Sequence, residues 1–318
     1  MKICLISFDS KYFDHHIVKE LIRQNIDATH IDVSKISYKY PTVFKKILNF
    51  FCKFLFKKNL KHAEIEKIVL KQIELIGHQD IILIIRPDRI SKKTHFQIKK
   101  QTSKYITYIY DSCKRFPIEH LLNGVFDEVF SFDIDDSKKY GFKFITNYIY
   151  LEKKEIKSDS KNNYKAFIVM SADERTPILN TLADFFTNNK LKFKFVLVGK
   201  KRPKNLNNNI IFSDKTFLLS EFQKDIENSS ILIDLIRFNH NGLSFRIFEA
   251  LAYQKKIITS NKSIKLYDFY NPNNILVIDE KNIEIPIDFL ETPYVSIPKD
   301  IYYKYNIQNW VSTVFELN

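Results

Sequence analysis

The stretch ILIDLIRFNHNGLSFRIFEALAYQKKIITSN, residues 231–261, contains a complete strand–turn–helix–strand unit. It opens with a mostly apolar run at 231–235, turns at Asn241-Gly242, and ends with a run rich in β-branched residues at 256–259. Between the turn and the second run, apolar residues recur at helical spacing, at Leu243, Ile247, Phe248 and Leu251. A helix that joins two such strands predicts a parallel sheet, because only a crossover connection returns the chain in the same direction.

The same alternation of short apolar runs and amphipathic stretches extends through the whole chain. In the first half it predicts strands at 2–8, 28–33, 80–85, 105–110, 128–132 and 144–149, with helices at 14–24, 42–56, 63–76 and 92–100 and a short turn at 137–140. In the second half it predicts strands at 166–170, 194–198, 210–212, 231–235, 256–259 and 275–278, with helices at 176–188, 217–228 and 243–253. The fold class that follows is α/β, with two Rossmann-like, doubly wound parallel-sheet domains facing a cleft.

The domain boundary is predicted from the polar segment EKKEIKSDSKNN, residues 152–163, which has no apolar period. We expect a first domain at 1–151, a linker at 152–163 and a second domain at 164–298. The segment 299–318, after Pro298, is expected to be a helix that packs back toward the first domain. Ligands of open α/β sheets bind at the carboxyl ends of the strands, so the cleft between the domains is the expected site.

The composition is that of a soluble globular protein: of 318 residues, 45% are hydrophobic and 27% are charged. This balance excludes collagen, coiled-coil arrays and disordered tails. The three cysteines form no CxxC pair, so the sequence predicts neither a disulfide framework nor a four-cysteine zinc site, and it favours a reducing cytoplasm. No window approaches the roughly 18 uninterrupted apolar residues of a membrane-spanning helix.

The net charge of +13 favours a polyanionic partner, such as nucleic acid, anionic lipid headgroups or a phosphorylated ligand. Residues 44–62, FKKILNFFCKFLFKKNLKH, contain six lysines and no acid, and predict a basic amphipathic helix suited to an anionic membrane surface. The alternative is an ordinary helix that covers the sheet with its lysines in water. Because the sequence has no recognised RNA- or DNA-binding module, nucleic acid is not the expected partner.

The turn at Asn241-Gly242 and the helix that follows it predict an anion site. Free backbone N–H groups and the positive end of the helix dipole point toward such a turn. Arg246, one turn into the helix, can hold a phosphate through two N–H groups, and Glu249 can accept hydrogen bonds from two ribose hydroxyls. The alternative is an Arg246–Glu249 pair on an exposed helix face, which stabilises the helix by only a few tenths of a kcal/mol.

The run Gly242-Leu243-Ser244-Phe245-Arg246-Ile247-Phe248-Glu249-Ala250-Leu251-Ala252 resembles the nucleotide-sugar-binding signature of GT-B glycosyltransferases, especially the CgeB-like and polysaccharide-biosynthesis groups. Residues 110–112, 126–133, 139–141 and 171–175 are similar to the same group. The resemblance implies that Glu249 binds ribose, and that the diphosphate is held by Asn241, Gly242, Ser244, Arg246 and Arg175, with Lys200 as a further cation. For the basic turn that begins at Lys200, a purely solvated role stays open. Retaining members often carry a Glu at the position of Asn241, so the sugar and the stereochemical outcome stay open too.

The first domain offers three candidates for the base that takes the acceptor proton: Asp9, His15 and Asp111. Asp9 and Asp111 follow strands one and four, which flank the switch point in the dinucleotide-binding strand order. Either aspartate can instead cap a helix or close a turn.

The function that this pattern favours is transfer of a sugar from a nucleotide-sugar donor to a saccharide or lipid-linked acceptor, in the synthesis of cell-surface polysaccharide or lipopolysaccharide. The expected location is the bacterial cytoplasm, with peripheral contact to the inner face of the membrane. No cofactor or metal is expected, because the histidines lack metal spacing and basic residues can neutralise the leaving diphosphate. The alternative is a non-catalytic nucleotide- or polyanion-binding scaffold on the same fold.

Overall fold

The computed structural model of the protein describes residues 1–56, 59–154, 163–215, 219–238 and 240–317. The chain divides into two compact units. The first unit comprises Met1–Ser131, Asp136–Phe144 and Val314–Asn318, and the second comprises Phe132–Asp135 and Ile145–Thr313. Most of the linker predicted at 152–163 lies outside the described residues.

Among its described residues, the first half of the chain contains six strands, which are β1 (Lys2–Ser7), β2 (Asp27–Asp32), β3 (Gln79–Ile85), β4 (Thr102–Ile109), β5 (Glu128–Ser131) and β6 (Lys143–Phe144). They form one parallel sheet in the order β2-β1-β3-β4-β5-β6. The helices of this half are α1 (His15–Arg23), α2 (Val43–Phe56), α3 (Leu60–Ile76), α4 (Lys92–Lys99) and α5 (Ile134–Tyr140). The central strands β1, β3 and β4 are buried almost throughout, which explains why their sequences are mostly apolar.

Two predictions for this half are wrong in detail. The strand predicted at 144–149 is only two residues long, because Ile149 instead forms a bridge with Asn306 in the second unit. The sheet order reverses between β1 and β3, since only β2 lies beyond β1. Asp111, which follows β4, is therefore one strand away from the switch point, whereas Asp9 follows β1 and lies at it.

The second unit repeats this architecture with the strands β7 (Tyr164–Ser171), β8 (Phe193–Val198), β9 (Ile211–Ser213), β10 (Ser229–Asp234), β11 (Lys256–Thr259) and β12 (Ile275–Val277). The sheet is parallel, with the order β12-β11-β10-β7-β8-β9. The helices of this half of the chain are α6 (Thr176–Asn188), α7 (Leu219–Glu227), α8 (Phe245–Ala252), α9 (Ile287–Glu291), α10 (Lys299–Lys304) and α11 (Ile307–Phe315). The two six-stranded parallel sheets confirm the predicted α/β class.

The apolar spacing of residues 243–251 decides how α8 packs. All four predicted core positions, Leu243, Ile247, Phe248 and Leu251, are buried in one cluster on the sheet. The apolar stripe of α6 enters a second cluster of this unit. Burial of a leucine or phenylalanine side chain contributes about 1.5–3 kcal/mol, so this stripe fixes which face of α8 lies on the sheet.

The single helix predicted at 299–318 is broken into α10 and α11. Ile149 N–H donates to the carbonyl of Tyr305 at 2.8 Å, and the N–H of Ile307 donates to the carbonyl of Ile149 at 2.9 Å. This pairing takes the backbone groups that would continue the helix, so the break follows from a long-range contact. Residues Val314–Asn318 belong to the first unit, where Glu316 pairs with Lys104 at 2.9 Å.

Candidate functional site

The strand order of the second unit reverses between β10 and β7, so the carboxyl ends of these neighbouring strands form a topological switch point. Ligands of open α/β sheets bind at such points. Asp173 and Arg175 follow β7, and the loop that leads to α8 follows β10. The sheet thus brings together two of the segments that the sequence assigned to a donor site.

Side chains at the ends of β10 and β11 fix the loop before α8. Asp234 is buried and accepts hydrogen bonds from Ser244 Oγ at 2.6 Å and Thr259 Oγ1 at 2.9 Å. Asn261 Nδ2 donates to the carbonyl of Gly242 at 3.1 Å, and Ser263 Oγ donates to that of Asn241 at 2.6 Å. Ser244 is the N-cap of α8, but its side chain bonds to Asp234 rather than to the first turn of the helix.

Gly242 is required by a close approach rather than by its own backbone conformation. A Cβ atom at this position would overlap the ring of Phe132, so any larger residue must displace either the ring or the loop. Gly199, at the end of β8, meets a similar restriction, because its Cβ would lie 2.9 Å from that of Ala172. Both glycines therefore hold loops against each other at the carboxyl edge of the sheet.

Arg246 and Glu249 form a buried pair on α8. Arg246 Nε lies 3.2 Å from Glu249 Oε2, and the two side chains are 15% and 2% exposed. Arg246 Nη2 also lies 3.3 Å from the carbonyl of Val169 on β7. The alternative of a pair on an exposed helix face is therefore wrong, because the apolar stripe of α8 turns this face toward the sheet.

Tyr150 completes this cluster. Its hydroxyl donates to Glu249 Oε1 at 2.8 Å, and burial, together with the charge of Glu249, raises the pKa of Tyr150. Glu249 Oε2 and the Nε and Nη1 atoms of Arg246 are buried without a hydrogen bond among the described residues. A buried acceptor beside buried donors is unusual in a native protein, and ligand atoms can satisfy such groups.

Arg175 does not stand free at the switch point. Its Nε and Nη2 atoms hold the Asp173 carboxylate bidentately, at 2.8 and 2.6 Å, and Nη1 donates to the carbonyl of Leu235. Arg237 Nε lies 3.3 Å from the same carboxylate. Burial by itself raises the pKa of Asp173, but the hydrogen bonds and the charge of Arg175 outweigh this effect and hold the pKa below its ordinary value. Two arginines thus share the Asp173 carboxylate.

The remaining donor candidates lie at the edges of this arrangement. Lys200 follows β8 and is exposed. The amide group of Asn241 donates to the carboxylate of Asp135, and its backbone N–H lies 3.3 Å from Asp133 Oδ2. A carboxylate therefore stands beside Asn241 even though Asn241 itself has none.

In the first unit, Asp9 and His15 are brought together. Asp9 is buried, and its Oδ2 accepts the backbone N–H of His15 at 2.9 Å while lying 3.7 Å from His15 Nδ1. Asp9 therefore binds the first residue of α1, which is the helix-capping alternative. Burial lowers the pKa of His15, so its imidazole is neutral at pH 7.

Further polar groups surround this pair. Burial and the charge of Asp9 raise the pKa of Asp14 well above its ordinary value, and Asp14 Oδ2 is without a hydrogen bond among the described residues. Asp32 ends β2 and accepts the N–H of Asp9 at 3.3 Å. Asp111 instead pairs with Arg115 at 2.5 Å and closes a turn. The structure thus groups Asp9, Asp14, His15 and Asp32.

Sequence reasoning missed Tyr150, Asp173, Asp234 and Asn261. Tyr150 lies 99 residues before Glu249, so no local pattern connects them. Asp173 stands two residues before Arg175, and that spacing at a strand end is the one signal that was available.

Among the described residues, no cluster of His, Cys, Asp and Glu side chains could hold a metal ion. Within the same residues, no helix is both long and apolar enough to span a bilayer.

Comparison with known proteins identifies the fold. No family model and no curated protein matches the chain. An α-glucosyltransferase in complex with UDP and a 13-mer DNA superposes with a TM-score of 0.63 at 14% identity, over 100% of this chain and 99% of that chain. A UDP-forming α,α-trehalose-phosphate synthase from Burkholderia xenovorans, in complex with glucose-6-phosphate, gives 0.61 at 8% identity, over 99% of both chains. The protein thus has the GT-B fold, with two Rossmann-like units, as residues 242–252 predicted. No comparison assigns it to the CgeB-like group.

Proposed function

We propose that the protein is a glycosyltransferase that moves a sugar from a nucleotide-sugar donor to a saccharide or lipid-linked acceptor. The observation that carries this proposal is the buried Arg246–Glu249 pair beside the switch point of the second unit. Its donors and its acceptor that lack a hydrogen bond match the two halves of a nucleoside diphosphate, which presents anionic oxygens and hydroxyl donors. The solved structures in complex with UDP support the same donor class.

In this proposal Glu249 accepts a hydrogen bond from a ribose hydroxyl. Tyr150 occupies Oε1, so Oε2 is the oxygen left for the ribose. Because Oε2 is buried, the Arg246 side chain has to move when the nucleotide binds. That movement would free its guanidinium for a phosphate oxygen.

Arg175 and the loop from Asn241 to Ser244 bind the diphosphate. After its bonds to Asp173 and Leu235, Arg175 retains two of its five N–H donors. Arg237 and Lys200 add positive charge at the same edge of the sheet. In this proposal these cations neutralise the leaving group, so no metal ion is needed for that step.

In the first unit, His15 is the base that the geometry favours. It is neutral at pH 7, and the Asp9 carboxylate stands 3.7 Å from its Nδ1 atom, where it would stabilise the protonated ring. Asp9 and Asp111 are weaker candidates, because each already binds a partner in its own turn.

Helix α2 supports an acceptor at a membrane surface. Its large apolar residues are exposed, and the fractions reach 75% for Val43 and 78% for Phe54. The helix therefore does not cover the sheet, and the lysines Lys45 and Lys46 are also in solvent. An exposed apolar stripe flanked by lysines fits an anionic leaflet. We propose peripheral contact with the inner face of a bacterial membrane and a role in surface polysaccharide or lipopolysaccharide synthesis.

The second candidate is a non-catalytic nucleotide- or polyanion-binding scaffold. Asn241 in place of a carboxylate favours it, as does the neutralisation of Arg175 by Asp173. The two candidates differ in turnover, because a scaffold binds a nucleotide sugar without releasing the nucleoside diphosphate.

A thermal-shift panel of UDP, GDP, ADP and CMP tests the donor site. A ligand that binds only the native state raises the melting temperature, by the equivalent of about 2.7 kcal/mol at a hundredfold excess over Kd. One nucleotide should stabilise the wild type and Glu284→Ala, an exposed control in the same unit. The same nucleotide should not stabilise Glu249→Ala. Equal stabilisation of all three proteins would overturn the ribose assignment.

A further inference from the structure

A cavity of about 350 Å³ opens in the first unit, at the carboxyl ends of β1, β2 and β3. Its volume lies within the range of roughly 300–1,000 Å³ that is usual for small-molecule sites. The walls come from residues that follow these three strands and from the first turns of α3. Most of the lining is apolar, supplied by Phe8, Val33, Ile36, Ile65, Val69 and Ile90.

The polar part of this cavity is positively charged. Lys61 and Arg89 line it and are exposed, and within the described part of the chain neither is paired with a carboxylate. Arg89 stands over the Phe8 ring, 5.1 Å from its centroid, so the cation adjoins the apolar wall. An anion bound here would lie at the start of α3, whose first turn carries no acid.

Glu66 is the acidic residue of the lining, and both of its carboxylate oxygens already accept hydrogen bonds. Its carboxylate accepts the N–H of Ser91 at 2.7 Å, the hydroxyl of Ser91 at 2.7 Å and that of Thr94 at 2.8 Å. These bonds hold the carboxylate against the start of α4. The cavity therefore combines an apolar interior with two unpaired cations, which is complementary to a molecule with an apolar chain and an anionic group.

The cavity adjoins the exposed apolar helix α2. The N–H of Leu60, which begins α3, donates to Asn49 Oδ1 of α2 at 2.7 Å. Lys61 is the next residue, so the cationic rim begins where α2 is attached. A chain that leaves a lipid surface beneath α2 would reach this rim directly.

We propose that this cavity binds the acceptor as a phosphate carried on an apolar chain, with Lys61 and Arg89 on the phosphate and the apolar walls around the chain. The assignment rests on the proposed function, because it takes the second unit as the donor site. It narrows the acceptor from a saccharide or a lipid-linked molecule to a lipid-linked phosphate. A free phosphate or a sugar phosphate shares the anionic group but leaves the apolar walls unused.

The test uses n-decyl phosphate below its micellar concentration, n-decyl maltoside and inorganic phosphate as probes, with binding measured by calorimetry. The wild type is compared with Lys61→Gln/Arg89→Gln and with Lys92→Gln/Lys93→Gln, an exposed pair on α4 whose loss removes the same charge. We expect decyl phosphate to bind the wild type and the control equally and the cavity variant at least tenfold more weakly. The maltoside and inorganic phosphate should each bind the wild type at least tenfold more weakly than decyl phosphate does.

The proposal is overturned if both double variants bind decyl phosphate alike, or if inorganic phosphate binds the wild type as tightly as decyl phosphate. Nucleotide stabilisation of the same variants separates the two proposals. If a nucleotide still raises the melting temperature of the cavity variant, that variant is folded and has an intact donor site. The opposite result is that no nucleotide stabilises any of the proteins, while the binding of decyl phosphate still requires Lys61 and Arg89. In that case the donor assignment fails and the cavity assignment stands.

Discussion

Replacement of Glu249 by glutamine should destabilise the free protein strongly. The glutamine side chain keeps the shape and the bond from Tyr150 but removes the charge opposite Arg246. Within the described residues, no carboxylate other than Glu249 lies within ion-pairing distance of that guanidinium, and the Arg246 side chain is only 15% exposed. Removing one partner of a buried ion pair costs about 3–5 kcal/mol. Because the glutamine still offers a carbonyl oxygen, we expect about 3 kcal/mol, at the lower end of that range.

Urea denaturation and thermal melting measure this loss. At about 2–4 °C per kcal/mol for a domain of this size, the melting temperature should fall by about 6–12 °C. Adding Arg246→Met to the same protein removes the unpaired cation and should recover part of the stability. The matched control is Glu64→Gln, which breaks an exposed pair with Lys67 at the same i, i+3 spacing and should cost under about 1 kcal/mol. If Glu249→Gln costs no more than Glu64→Gln, the buried-pair reasoning is refuted.

The remaining predictions concern a loop contact, a buried histidine and the leaving group. Gly242→Ala should lower the free energy of unfolding by about 1–3 kcal/mol, because its methyl group overpacks against Phe132, and it should weaken nucleotide binding. Urea denaturation of Gly242→Ala, Phe132→Leu and the double variant tests the contact. If the two losses of stability simply add in the double variant, Gly242 and Phe132 are not in contact. Burial lowers the pKa of His95 from 6.5 to about 4, so its contribution of about 3 kcal/mol is complete above pH 6.5 and is lost as the pH falls toward 4. His95→Gln should flatten the stability profile over this interval, and an unchanged slope would contradict the assignment. The rate of sugar transfer should be unchanged by EDTA. If EDTA abolishes the transfer and Mg²⁺ restores it, the reaction requires a metal ion.

Strand positions were predictable because buried parallel strands are nearly continuous apolar runs. Residues 231–235 and 256–259 were both identified in this way, and they became β10 and β11 within two residues at either end. The side of α8 that faces the sheet was equally visible, since Leu243, Ile247, Phe248 and Leu251 share one face. Local periodicity carries this information without any long-range contact.

Long-range contacts explain what could not be predicted. The helix predicted at 299–318 is interrupted by a bridge between Ile149 and Asn306. The Tyr150–Glu249 bond and the contact of Phe132 with Gly242 join segments about a hundred residues apart. The order of the strands depends on the side of the sheet to which each crossover connection adds the next strand. The sequence does not indicate that side, so it could not show that Asp111 lies one strand away from the switch point.

The central claim is that a nucleotide sugar is bound through Glu249 and turned over. The most direct test measures the release of nucleoside diphosphate from a panel of nucleotide sugars. One series contains n-decyl phosphate as a model acceptor, and a parallel series omits it. We predict release from one donor by the wild type, and at least a hundredfold less by Glu249→Gln at a temperature where both proteins are folded. Tight binding of a nucleotide sugar with no release under either condition would contradict the claim and favour the scaffold.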